Sequence, residues 1–263
     1  QIAISNAFEQ RAKAVQILKT VQNKVIFTLL TQKQFEQPNN IFPNSELWNF
    51  YGKPFYLEHS EKIKVIASIQ DNNGLLSQHY ITNPHWTRVL TQLGFSEDEL
   101  TKKQGIIKDW QDKDKNSWLI GDLEPNKLNN NQWYRNQAIQ LPQEIEWFFE
   151  NEKQKLSIIK QISTPYSVVG FNPMIAPNAL LALFFDEEIS GEIIRLREQG
   201  ILTRTQMRNF LGKDYDDVII TLLNGSQFKI TIQVDFKEVQ LKETLEIQLQ
   251  PVEREPILIF ARY

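Results

Sequence analysis

Residues 1–37 contain neither glycine nor proline, so nothing in their backbone chemistry stops a helix once one has begun. Within that run Ile4, Phe8, Val15, Leu18, Val25 and Leu29 follow a near-heptad spacing, with Glu9, Lys13, Lys19 and Lys24 on other faces. The spacing predicts one amphipathic helix of about thirty residues, ending before Pro38. A helix that long must bury its apolar side against something extended, either a sheet of its own or partner helices.

The rest of the chain limits the class of molecule. Its 263 residues exceed one average domain, and 41% hydrophobic with 23% charged residues is an ordinary globular mix that excludes a wholly disordered chain. The net charge of −3 recommends neither nucleic acid nor anionic lipid as the main partner. With no cysteine, disulfides, thiolate zinc sites and cysteine nucleophiles are all excluded. No stretch approaches the roughly 20 apolar residues of a membrane helix. The sequence opens at Gln1 without a signal-peptide pattern, which we read as a soluble fragment.

After the first helix the hydrophobic period changes twice. Residues 63–70 alternate like a strand, with turn residues at 71–74 and a hairpin partner expected over 75–81. From Asn83-Pro84 the apolar spacing is helical: Trp86, Val89, Leu90 and Leu93, stopped by Gly94. Ser96 and Glu99 form a capping box ahead of the next helix. Further helices are expected over 142–156, 177–185, 187–198 and 203–211. The strand period then returns over 218–223, 228–236, 241–249 and 257–260, with Asn224-Gly225 as the strongest turn signal. Residues 83–110 and 177–211 echo each other as short helix, acidic turn and longer helix.

Strands on both sides of a helical block predict an α+β fold: a long first helix packed on an antiparallel sheet, with an all-α domain inserted in that sheet. The expected division is residues 1–81 and 214–263 for the helix-and-sheet domain, and 82–213 for the insertion. Both ends of the insertion must then lie side by side.

Candidate chemistry concentrates after the second helical segment. Asp112, Asp114 and Asn116 have the one-three-five spacing of a calcium loop, and Asp122 and Glu124 follow near its closing position. Ser117 stands where an EF-hand has glycine, and Glu124 comes one residue late, so a solvated acidic turn is the alternative. Enzyme signatures are absent: no HExxH, GxSxG or glycine-rich phosphate loop. His59, His79 and His85 as a zinc site, Asp216 and Asp217 as an acid–base pair, and Trp133-Tyr134-Arg135 as a stacking site each have an ordinary packing or surface role as the alternative. The two helical modules also suggest a helix-hairpin-helix nucleic-acid binder, against which stand acidic residues at both turns, Glu97 and Asp98 in one and Asp186 to Glu188 in the other. A periplasmic carbohydrate-binding or hydrolytic protein is a third reading.

Several short segments in order then resemble one family: the Asp71-to-Gly74 turn, Leu93-Gly94 through Asp109-Trp110-Gln111-Asp112-Lys113-Asp114, Gly121-Asp122-Leu123-Glu124, Tyr134-Arg135-Asn136, residues 141–145, Phe171-Asn172-Pro173, Arg197 leading into the helix at 203–210, and Phe260-Ala261-Arg262. Together they are similar to the minor pseudopilin GspK of the type II secretion system. The resemblance implies a non-enzymatic subunit capping the tip of a periplasmic pseudopilus, in a heterotrimer with GspI-like and GspJ-like minor pseudopilins. It also implies an inner-membrane anchor upstream of Gln1, and calcium held near Asp112, Asp114, Asp122 and Glu124. Departures lie at 77–79 and after Asn172, where Pro173, Met174 and Ile175 replace small residues. The apolar side of the first helix, Phe8, Val15 and Leu18, is expected to pack partly on its own sheet and partly on those partners.

Overall fold

The computed structural model describes residues 2–31, 41–43, 45–114, 116–118, 135–168, 170–250 and 252–263. The fold is α+β and divides into two compact units, residues 1–71 with 225–263 and residues 72–224.

The first unit is one helix on one sheet. Helix α1 (Ile2–Thr31) presents Ala14, Leu18, Val21, Val25 and Leu29 as a buried stripe at three- and four-residue spacing. That stripe lies on the two strands β5 (Gln227–Phe236) and β6 (Val239–Leu249). With β1 (Phe55–His59), β2 (Ile63–Asp71) and β7 (Ile257–Arg262) they form a five-stranded antiparallel sheet in the order β1-β2-β5-β6-β7. Alternation decides which face is buried. Val65, Ala67 and Ile69 of β2 stand opposite Val234, Ile232 and Ile230 of β5, and all six are buried. Lys19 of α1 reaches Glu243 of β6 at 2.6 Å, and Arg262 of β7 meets the same carboxylate at 3.0 Å.

The strands on either side of the helical block therefore share one sheet, through the nine-residue β2–β5 pairing. The hairpin signals fall elsewhere than expected. Residues 75–81 form no hairpin with β2; Leu76–Ser77 (β3) instead pairs in parallel with Ser163–Thr164 (β4). Leu76 and Ile81 are drawn into the core of the helical unit, and residues 75–78 are all buried, so they have no solvent face to alternate with. Residues 218–223 make only an isolated bridge, Phe171 to Ile220. Asn224-Gly225 turns no hairpin; the Gly225 N–H donates to Asp71 Oδ2 at 2.7 Å, holding the two chain crossings of this unit together. The β5–β6 hairpin turns at Lys237-Glu238, with Lys237 at φ 53°. β1 follows Pro54 and is too short to show a periodic signal.

The second unit is helical: α2 (Pro84–Gln92), α3 (Glu97–Gln111), α4 (Ile145–Phe148), α5 (Lys153–Ile162), α6 (Asn178–Phe184), α7 (Glu187–Glu198) and α8 (Arg204–Leu211). Local chemistry sets most of these starts. Asn83 caps α2 ahead of Pro84, Ser96 and Glu99 form a full capping box for α3, and Thr203 with Gln206 does the same for α8. Gly94 ends α2 at φ 78°, a conformation only glycine adopts without strain. The two modules meet through α2 and α6. Trp86, Phe149, Phe184 and Ile107 are completely or almost completely buried in a single core. That core also takes in Leu76, Ile81, Ile220 and Leu222. The boundaries therefore fall at 71/72 and 224/225, outside the expected 81/82 and 213/214, because apolar residues on both flanks pack with the helices. Asn172, itself buried, ties the two ends of this unit: its N–H donates to Asn73 O at 2.6 Å and its Nδ2 to Leu223 O at 3.0 Å.

Candidate functional site

Two regions carry the residues singled out from the sequence. The first is the loop that leaves α3. Asp109, in the last turn, is buried and accepts from Ser117 Oγ at 3.1 Å and from the Trp118 N–H at 2.8 Å. These bonds close a loop on which Asp112 and Asp114 stand. Asp112 is the helix C-cap, its N–H donating to Lys108 O at 3.0 Å. Asp114 is exposed; its Oδ1 accepts from the Asn116 N–H at 2.8 Å, and its carbonyl accepts from Asn136 Nδ2 at 2.7 Å. Asp122 and Glu124, the other two expected calcium ligands, lie outside the described residues, as do Trp133 and Tyr134. Among the described residues no three His, Cys, Asp or Glu side chains stand close enough to hold a metal ion.

Beside this loop is a residue that sequence reasoning did not single out. Glu144 is fully buried, and its Oε1 accepts from Arg135 Nη1 at 2.8 Å and from the N–H groups of Gln140 and Leu141 at 3.1 and 3.0 Å. Its Oε2 accepts from the Trp110 indole at 3.2 Å. One carboxylate thus anchors the end of α3 to the segment before α4. Its only sequence signal was its place in the 141–145 stretch.

The other candidates have local roles. His79 Nε2 is 2.9 Å from Ile139 O, His85 packs between the rings of Phe171 and Phe184, and His59 stacks on Tyr56. Asp216 accepts from the Val218 N–H at 2.9 Å and caps a turn. The acidic turns of the two modules are helix caps: Ser96 and Asp186 accept from the N–H groups of Glu99 and Ile189.

The second region is the free side of α1. Phe8 is 76% and Val15 40% exposed, whereas Leu18 is only 5% exposed and belongs to the stripe against the sheet. Leu18 is therefore committed inside its own unit and separated from the other two. For Val15 the reason is angular: at about 100° per residue it falls on the flank of the buried stripe, whereas Phe8 precedes Ala14, the first buried residue among the described ones. No residue between Ser5 and Lys13 is buried. No helix among the described residues is long and apolar enough to cross a membrane.

A long helix laid on a five-stranded antiparallel sheet, with a helical unit entering the chain between β2 and β5, is thus the architecture defined by the coordinates. It is similar to a chain of the GspK–GspI–GspJ complex from the type 2 secretion system of enterotoxigenic Escherichia coli, with a TM-score of 0.62, 10% identity and 98% of each chain covered. At that identity the likeness shows the fold alone. No protein-family model and no curated protein matches the sequence.

Proposed function

We propose that this chain is a minor pseudopilin of a type II secretion system, a structural subunit without turnover that caps the pseudopilus tip beside GspI-like and GspJ-like chains. The observation that carries the reading is the fold match across 98% of both chains, inserted helical unit included, to a member of a complex of three such proteins. The segments resembling GspK run through both units in matching order. On this reading the protein is anchored in the bacterial inner membrane upstream of Gln1, with its folded part in the periplasm.

The exposed side of α1 supplies the assembly surface. Burying a side chain such as Phe8 against a partner helix contributes roughly 1.5 to 3 kcal/mol. Phe8→Asp with Val15→Asp is therefore expected to abolish a complex that the native chain forms with both partners in size-exclusion chromatography, while circular dichroism stays unchanged. No complex with the native chain would overturn the role.

Calcium is the ion this reading implies. Asp112 and Asp114 are hard oxygen donors carried on one loop closed by Asp109, a donor chemistry that fits calcium, and Asp122 and Glu124 would complete the set. Bound calcium would draw these carboxylates together and fix the loop. At a concentration of 100 Kd it stabilises the fold by about 2.7 kcal/mol. The melting temperature is expected to rise with calcium over chelator, and the rise to vanish in Asp112→Ala/Asp114→Ala. An unchanged melt in the native chain would remove the ion from the account.

A further inference from the structure

The two outer strands of the sheet are treated differently. At the β1 edge the preceding segment folds over: the Glu46 N–H donates to Tyr56 O at 2.9 Å, and Glu46 Oε2 accepts from the Tyr56 N–H at 2.9 Å. Among the described residues, β7 has β6 on one side and no strand on the other. Leu258 and Ile259 are 43% and 47% exposed, and as neighbours in a strand they point to opposite faces, so neither face of β7 is fully covered. An open apolar edge of this kind is a template for strand addition.

The hydrogen bonds show which backbone groups are on offer. The Gln250 N–H donates to Pro256 O at 2.8 Å, Thr244 and Tyr263 exchange bonds of 2.7 and 3.0 Å, and the register slips between Glu246 and Ile247. Pro256, Leu258 and Tyr263 therefore turn their backbone groups towards β6, while Ile257, Ile259 and, past the bulge, Arg262 turn theirs away. Pro256, which has no N–H, sits where the open edge loses nothing by it.

We propose that this edge is an interface with a second copy of the same chain, the two β7 strands pairing antiparallel about a two-fold axis at Leu258. Ile257 then lies opposite Ile259 of the second copy, and the reverse, with all four residues facing outward and bonded. The bulge decides the charges. It brings Arg262 opposite Glu255 of the second copy at each end of the ladder, whereas an unbulged strand would set Arg262 against Arg254. Arg262 meets Glu243 through Nε, and its guanidinium has four further N–H groups to offer. Two symmetric ion pairs thus flank an apolar centre, and the strand is complementary to itself.

The absence of cysteine gives a direct test on the full chain. Leu258→Cys places two thiols on the axis with Cα atoms about 4.5 Å apart, within disulfide range. Mild oxidation is expected to yield a covalent dimer, and Glu58→Cys on β1 to remain monomeric. In sedimentation velocity the native chain is expected to dimerise with rising concentration. Glu255→Arg and Arg262→Glu should each weaken the dimer about tenfold or more, and the double variant should recover it. Residues 255, 258 and 262 are exposed, so each variant is expected to keep the native circular dichroism spectrum. A native chain monomeric at every concentration, cross-linking no faster at 258 than at 58, or a double variant no tighter than the single ones would overturn the proposal.

Discussion

Glu144→Ala is expected to lower the stability of the helical unit by about 3 kcal/mol, the cost of leaving buried donors without their acceptor. The substitution removes the acceptor for four donors at once: Arg135, two backbone N–H groups and the Trp110 indole. The indole and the backbone donors are left with nothing of similar strength to bond to. Glu144→Gln keeps an acceptor oxygen but not the charge, so it should fall between alanine and native. Glu146 is the control: its bridge to Lys160 is half exposed at both ends, and Glu146→Ala should cost no more than about 1 kcal/mol. Urea midpoints followed by circular dichroism separate the two. Equal midpoints for the 144 and 146 alanine variants would show that the buried network is not holding the end of α3.

The second large effect runs against intuition, because removing a charge should stabilise. Burial pushes the Glu246 carboxyl up from 4.5 to about 6, against the opposing pull of Lys229 at 3.9 Å and the Tyr263 hydroxyl at 3.1 Å. The folded state therefore prefers the protonated acid. Its contribution is fully present below pH 4.5 and is lost as pH rises through 6. One pKa unit is worth 1.36 kcal/mol, so the shift amounts to about 2 kcal/mol between those limits. Glu246→Gln keeps the acceptor for Tyr263 without the charge. It should be about 2 kcal/mol more stable than native at pH 7.5 and indistinguishable at pH 4.5. A variant less stable than native at pH 7.5 would mean that the Lys229 contact outweighs the burial.

What was legible beforehand was local. The span of α1, the starts of α2 and α3, and strands β5, β6 and β7 all followed from caps, breakers and period within a few residues. The order of strands around a helical block predicted one continuous sheet, and β2 does pair with β5. Contacts distant in sequence could not be read. Beyond its place in the 141–145 stretch Glu144 carries no signal, because its meaning lies in Trp110 and Arg135, brought to it by packing. Leu18 was grouped with Phe8 and Val15 because a heptad count cannot say which angular sector the sheet will cover. Asn224-Gly225 has the chemistry of a hairpin turn, yet its glycine N–H is spent on Asp71, 154 residues back. In the acidic loop, the spacing of Asp112 and Asp114 carries no sign that Asp109 closes it, because its partners Ser117 and the Trp118 N–H are brought to it by the turn of the chain.

Asn172 holding Asn73 and Leu223 has a consequence for how the chain reaches its sheet. To β2 and β5, the intervening stretch behaves as a short bridge whatever its contour length, because its two ends are already neighbours. Bringing two strands together across a floppy loop costs entropy that grows with the logarithm of its size. A helical unit that assembles first hands its ends over pre-aligned, and most of that penalty is gone before the strands register. Helices could be gained or shed between those two anchor points over evolutionary time while the pairing of Ile69 with Ile230 stayed as it is.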